Sequence, residues 1–167
     1  MNKKEIVVKE ITDAKSLEEV LAAFSHMEFM TPAKDPAERK RYAEKLLATG
    51  HAIAEFHDGK PMGMMCFYCN DVETRIGYIT LFALMEELGF AKGRTMFNLA
   101  KLSAEIADRT GMDWVRIEVD DRNVLARKLY ERMGFEYTEK KEHSSIMLVS
   151  LEKLLGNFKK LSGESSK

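Results

Sequence analysis

The sequence predicts an α/β fold (α+β in its mixed sheet) with about seven strands and about four flanking helices, in the order β-α-α-β-β-β-α-β-α-β-β. Three observations predict it. Short β-branched and aromatic runs alternate with segments of helical period. Around Asp58-Gly59 three strands follow one another closely enough to form an antiparallel meander. After the meander the order changes to strand, long helix, strand, the βαβ pattern of a parallel pair.

Ile6–Ile11 opens the chain as a strand, rich in Ile and Val. Ser16-Leu17-Glu18-Glu19 offers a capping box, and Leu17, Val20, Leu21 and Phe24 behind it share one helical face. A second helix begins at Asp35-Pro36, with an acidic cap and Pro at the first helical position. Tyr42, Ala43, Leu46 and Leu47 form its apolar face, and Gly50 suits its end. His51–His57, Pro61–Tyr68 and Arg75–Leu84 are the meander strands, and Gly77 marks a bulge or a close backbone approach in the third. Gly93–Arg109 is a long amphipathic helix stopped by Gly111. Trp114–Val119 is a strand with Val115, Ile117 and Val119 on one face. Asn123 caps a helix whose apolar stripe is Ala126, Leu129, Tyr130 and Met133, and Gly134 closes it. Phe135–Lys140 and Ser145–Leu151 are the last strands. The reading is one domain over 1–155, with 156–167 as a flexible Gly/Ser/Lys-rich tail.

Composition narrows the function. A length of 167 residues suits a single domain that folds without metal or disulfide staples. Lys and Arg number 26 against 27 Asp and Glu, so the chain is not a binder of nucleic acid by bulk phosphate neutralisation. No apolar run approaches the ~18–20 residues of a membrane span, and no secretory leader is visible, so a cytoplasmic location is expected. The 11 methionines include Met62, Met64 and Met65 within one strand, where core packing is the expected role. Cys66 and Cys69 have C-x-x-C spacing but lack the further ligands of a zinc site and the helix N-terminus of a redox pair. They are read as ordinary thiols, and no metal is expected.

Two segments carry the chemistry. Leu88-Gly89-Phe90-Ala91-Lys92-Gly93-Arg94-Thr95 joins a strand to a long helix, and a Gly-containing loop entering a helix N-terminus suits a phosphate group. Lys92 and Arg94 add cations there. In the second segment Asn123 and Tyr130 lie two turns apart on nearly one helical face, beside the end of a strand that carries Glu118. An amide and a phenol so placed can orient an acyl donor and protonate a leaving group; alternatively, Asn123 only caps its helix and Tyr130 only packs on the sheet.

The run Asn123-x-x-Ala126-x-x-Leu129-Tyr130-Glu131-x-x-Gly134-Phe135 resembles the C-terminal half of the signature of the GCN5-related N-acetyltransferase (GNAT) family, and the element order resembles the same family over residues 1 to about 152. The resemblance implies a twisted mixed sheet in which Arg75–Leu84 and Trp114–Val119 run parallel and then splay. Acetyl-CoA would be the cosubstrate. The backbone of Phe82, Ala83 and Leu84 would pair with its pantetheine amides, and the loop from Gly89 through Ala91, Lys92, Gly93, Arg94 and Thr95 would hold its pyrophosphate. Asn123 would contact the cofactor, Tyr130 would protonate the leaving thiolate, and Glu118 is a candidate base, with Tyr78 and Thr80 as candidate substrate contacts. The implied activity is acetyl transfer to a primary amine of a small molecule or peptide, by direct transfer in a ternary complex. A homodimer is compatible with the resemblance. The loop departs from the family pattern: Leu88 replaces a basic or amide residue, Ala91 a glycine and Lys92 an apolar residue, and the Ala91 Cβ is expected to narrow the cradle. Those departures support a second reading, a GNAT-fold module that binds CoA without turnover.

Overall fold

The computed structural model describes residues 3–28 and 30–161, apart from the side chain of Leu161. In it β1 (Ile6–Ile11), β2 (Gly50–His57), β3 (Lys60–Tyr68), β4 (Ile76–Leu84), β5 (Trp114–Asp120), β6 (Glu136–Lys140) and β7 (Ser144–Ser150) form one sheet in the order β1-β2-β3-β4-β5-β7-β6. Every neighbouring pair is antiparallel except β4 and β5, which run parallel as the βαβ order predicts. The helices are α1 (Ala14–Ala23), α2 (Pro36–Thr49), α3 (Lys92–Arg109), α4 (Val124–Met133) and α5 (Leu151–Leu161). Asp58 and Gly59 both have positive φ, at 50° and 82°, the geometry that closes a tight β2–β3 hairpin.

Helices cover both faces. Gly63 of β3 lies against Thr95 and Leu99 of α3. Cys66, three residues along and therefore on the opposite face, lies beside Tyr42 of α2. Met62, Met64 and Met65 are buried in the core, as expected of them. So are Cys66 and Cys69, both free thiols; burial pushes the Cys66 thiol up to about 12, so neither a thiolate nucleophile nor a metal ligand is at hand there. Among the described residues no helix is long and apolar enough to cross a membrane, and no cluster of three or more His, Cys, Asp or Glu could hold a metal ion.

Two expectations change. The cap of α1 is Asp13, whose carboxylate accepts the Ser16 N–H at 2.9 Å, so Ser16 lies inside the first turn. Either residue can cap, and the carboxylate three positions earlier takes the N–H that the Ser16 reading left over. The second change is at the C-terminus. The expected tail from Gly156 is helical through Leu161, while 162–167 lie outside the described residues. Leu151, Leu154 and Phe158 of this fifth helix are buried, and the Phe158 ring meets Phe97 of α3 edge-on at 5.3 Å. Asn157 Nδ2 donates to the Met133 carbonyl at 2.9 Å and so satisfies an end group of α4. Gly156 costs this helix roughly 1 kcal/mol relative to alanine, and the buried ring outweighs it. Phe158→Ala should therefore lower the unfolding free energy by about 3–5 kcal/mol, the usual cost of truncating a buried Phe, measured by urea denaturation.

Candidate functional site

The site begins where β4 and β5 stop pairing. Their parallel register runs from Ile76↔Trp114 to Ile79↔Ile117 and ends there, although β4 continues to Leu84 and β5 to Asp120. The cause lies on the other side of β4. Phe67 of β3 pairs with Ile79, but Cys66 pairs with Leu81, so Thr80 is an extra residue in β4. Such a bulge bends its strand and increases the local twist. Beyond it, β4 stays bonded to β3 as far as Leu84, and β5 stays bonded to β7 as far as Asp120. Each strand keeps one partner and turns an open edge toward the other.

Between the edges lies a cavity of about 350 Å³, reached by Thr80, Phe82, Glu118, Asn123 and Tyr130. It continues into a second cavity of about 370 Å³ between Phe82, Ala83 and Leu84, the start of α4 at Leu125, and Met27 and Met30 of the α1–α2 connection. The slot is one strand wide, and its walls carry backbone amides and carbonyls without strand partners on that side. It can take an extended amide-bearing chain as an added strand.

Tyr130 stands at the floor of the first cavity. Its side chain is 1% exposed, its ring touches Phe82 and Phe135 at centroid distances of 5.7 and 5.3 Å, and its hydroxyl has no hydrogen-bond partner. Burial pushes its pKa well above the usual tyrosine value, so the phenol keeps its proton at neutral pH and can only donate it. Asn123 caps α4 through Oδ1, which accepts the Ala126 N–H at 3.3 Å, leaving its Nδ2 group for the cleft. The capping role is present, and the same residue also lines the cavity. Glu118 is exposed at the cavity wall and bonds Lys141 at 2.8 Å and Ser144 at 3.2 Å. Lys141 chiefly holds its carboxyl below the ordinary glutamate range, which makes it a weak proton acceptor. Thr80 lines the cavity, whereas the ring of Tyr78 lies under the Arg116 guanidinium, 5.4 Å away.

At the far end of the slot the chain leaves β4 through a short turn, Glu86–Ala91, and enters α3. Gly89 has φ 53° and ψ −121°, a backbone state that glycine alone adopts readily. Ala91 is the N-cap and brings no side-chain cap, so the N–H groups at the start of α3 stay open. The open set is smaller than the sequence suggests. The Lys92 N–H donates to the Gly89 carbonyl, and its ammonium pairs with Glu86 at 2.8 Å. Thr95, four residues past the cap, has its N–H in the helix's first i→i−4 bond, and its side chain is buried. The Ala91 N–H belongs to the 3-10 turn before the helix, so Gly93 and Arg94 remain, with the Arg94 side chain exposed, and this uncapped, positively polarised end suits an anion.

The model of the acetyltransferase (GNAT) family matches residues 17–135. The chain belongs to the GNAT family of acetyltransferases. The acetyl donor of this family is acetyl-CoA. No curated protein matches the sequence. Solved structures share the fold at low identity. A protein of Desulfovibrio desulfuricans assigned to the GNAT family superposes with TM-score 0.68 at 15% identity, covering 88% of this chain and 99% of its own. A GNAT acetyltransferase of Streptococcus pneumoniae gives 0.67 at 17%, covering 87% and 99%. A Salmonella typhimurium protein assigned as an acetyltransferase, solved with its cofactor acetyl-CoA, gives 0.66 at 15%, covering 87% and 94%.

The unpartnered phenol of this GNAT protein has a measurable consequence. Removing a buried hydroxyl that bonds nothing sacrifices no hydrogen bond, and an unsatisfied buried polar group costs about 1–3 kcal/mol. Tyr130→Phe should unfold at the same denaturant midpoint as wild type or a higher one in the absence of ligand. Asn123→Ala, which removes a working cap, should lose about 1 kcal/mol.

Proposed function

We propose that the protein is an N-acetyltransferase that moves an acetyl group from acetyl-CoA to a primary amine of a small molecule or peptide, by direct transfer in a ternary complex within the cytoplasm. The observation that carries the proposal is the Tyr130 hydroxyl, buried, protonated and unpartnered in the cavity where β4 and β5 part. Tyr42 and Tyr130 are both buried phenols without a hydrogen-bond partner, but it is Tyr130 that lines this cavity.

In this reading the open edge of Phe82, Ala83 and Leu84 holds the pantetheine arm. The N–H groups of Gly93 and Arg94, past the bend that Gly89 permits, hold the pyrophosphate, with Arg94 adding charge. Bound acetyl-CoA supplies an activated acyl group as a thioester. Asn123 Nδ2 donates to that end of the donor or to a water beside it, and Tyr130 donates a proton to the departing sulfur. Open N–H groups on the splayed edges stabilise the oxyanion that forms at the carbonyl. The acceptor must arrive as a free amine. Glu118, kept ionised by Lys141, attracts the ammonium form, and water along the cleft takes its proton.

The alternative, a CoA-binding module without turnover, draws its support from the substituted loop at Leu88, Ala91 and Lys92. The two readings part in one experiment. Acetyl-CoA at ~100 times its dissociation constant should stabilise either protein by roughly 2.7 kcal/mol, seen as a rise in melting temperature. Only the enzyme should release CoA thiol in a screen of amino acids, polyamines, aminoglycosides and peptides. No thermal shift at millimolar CoA rejects both readings.

With the amine that screen identifies, Tyr130→Phe should reduce kcat while leaving acetyl-CoA affinity nearly unchanged. General-acid catalysis is typically worth ~10²–10⁴-fold; a thiolate is a tolerable leaving group, so the low end applies. A wild-type kcat in the variant would remove the phenol from the mechanism.

A further inference from the structure

Glu55, in the middle of β2, is a carboxylate that the proposed chemistry does not use, and it is 1% exposed. Burying an ion is costly unless its acceptor sites are filled. Three donors fill them: Thr95 Oγ1 at 2.5 Å and His57 Nε2 at 2.9 Å on one oxygen, and Asn98 Nδ2 at 2.7 Å on the other. These donors outweigh burial and hold the Glu55 carboxyl below the ordinary glutamate range. The ionised carboxylate has no proton to give, so His57 Nε2 carries one.

Two of the donors belong to α3, three residues apart on the face that meets the sheet. Thr95 directly follows Gly93 and Arg94, the residues with open N–H groups. A second contact presses the same turn onto the sheet. A Cβ placed on Gly63 of β3 would stand 2.7 Å from Thr95 Cγ2 and 3.0 Å from Leu99 Cδ1, so α3 packs at a distance that only glycine permits. The carboxylate tether and the glycine contact thus set the height and rotation of the first turn of α3.

We propose that Glu55 is a positioning residue for the pyrophosphate-binding turn: through Thr95 and Asn98 it holds the start of α3 where the N–H groups of Gly93 and Arg94 converge on one anion. The proposal rests on the reading of the site as a CoA site. It explains why an ion occupies a place that an apolar side chain could fill, because an apolar contact would bury area without fixing the helix's rotation.

The test is calorimetric titration of CoA into wild type, Glu55→Ala, Glu55→Gln and Gly63→Ala, each at a temperature where circular dichroism shows it folded. Glu55→Ala and Gly63→Ala should each bind CoA at least about tenfold more weakly, since small misplacements of binding groups cost factors of that order and more. Glu55→Gln keeps an acceptor oxygen for Thr95 and His57, and Asn98 can turn its amide to accept from the new NH₂; its affinity should stay within about threefold of wild type. A merely structural role would lower melting temperatures without moving the affinity of the folded protein. Wild-type affinity in Gly63→Ala or in Glu55→Ala, or a Gln variant as weak as Ala, overturns the inference. If Glu55→Ala does not fold, Gly63→Ala decides alone. Wild type that takes up no CoA overturns the reading of the site and the inference with it.

Discussion

One missing run of hydrogen bonds organises the molecule. Had β4 and β5 stayed paired past Ile79 and Ile117, the sheet would be continuous and the protein would have no slot. The extra residue at Thr80 prevents this by bending β4 while β3 still holds it. The bend leaves two strand edges facing each other inside the fold, where solvent and a ligand can reach them but no strand of the sheet pairs with them. Everything assigned to the site is defined relative to that opening. Phe82, Ala83 and Leu84 form one wall, Glu118 stands on the other, α4 brings Asn123 and Tyr130 beneath, and the turn that leaves β4 delivers the start of α3 to its end.

Such an opening costs stability, and the remaining structure shows where it is offset. The unpaired segments are short and each is bonded on its other side, so no strand is held by the slot alone. The floor is closed by aromatic contacts among Phe82, Tyr130 and Phe135. α5 fastens α3 and α4 from outside through Phe158 and Asn157, which keeps the two helices that present the anion-binding turn and the phenol in one rigid frame. The slot thereby presents open backbone groups and the unpartnered Tyr130 hydroxyl close together, where a ligand with the complementary groups gains most by binding.

Local signals read well from the sequence because local forces decide them. The Asp35-Pro36 start of α2, the Asp58-Gly59 hairpin, the Asn123 cap and the stripe ending at Tyr130 are each fixed by residues a few positions apart. The misreadings have equally physical causes. Ser16 and Asp13 are both competent caps, and only the geometry chooses. Leu151, Leu154, Leu155 and Phe158 do have helical spacing, but they follow a β-branched strand without a break and are trailed by Gly, Ser and Lys, so the composition concealed the period. The bulge at Thr80 was beyond reach, since it exists only as a register difference between two strands. The same holds for Glu55: a lone Glu between Ala54 and Phe56 reads as a surface residue until α3, some forty positions later, is laid over it.

The substituted loop shows how a family pattern and a backbone can be reconciled. Where the family has several glycines, only Gly89 occupies a conformation that requires one. Ala91 sits in the ordinary right-handed helical region, at φ −80° and ψ −3°, and it is exposed. Its Cβ therefore does not strain the turn. Lys92 in an apolar position is likewise accommodated, because its ammonium finds Glu86 across the turn. The glycines that a phosphate loop shares among its relatives answer two demands, an unusual backbone angle and room for an anion beside the main chain. In this chain the first demand falls on Gly89 alone, and the second is met at Gly93, where no atom lies near the place a Cβ would take and the amide stays open to the cleft. Substitution at position 91 thus leaves the backbone of the turn unstrained, and the Lys at 92 is paired within it.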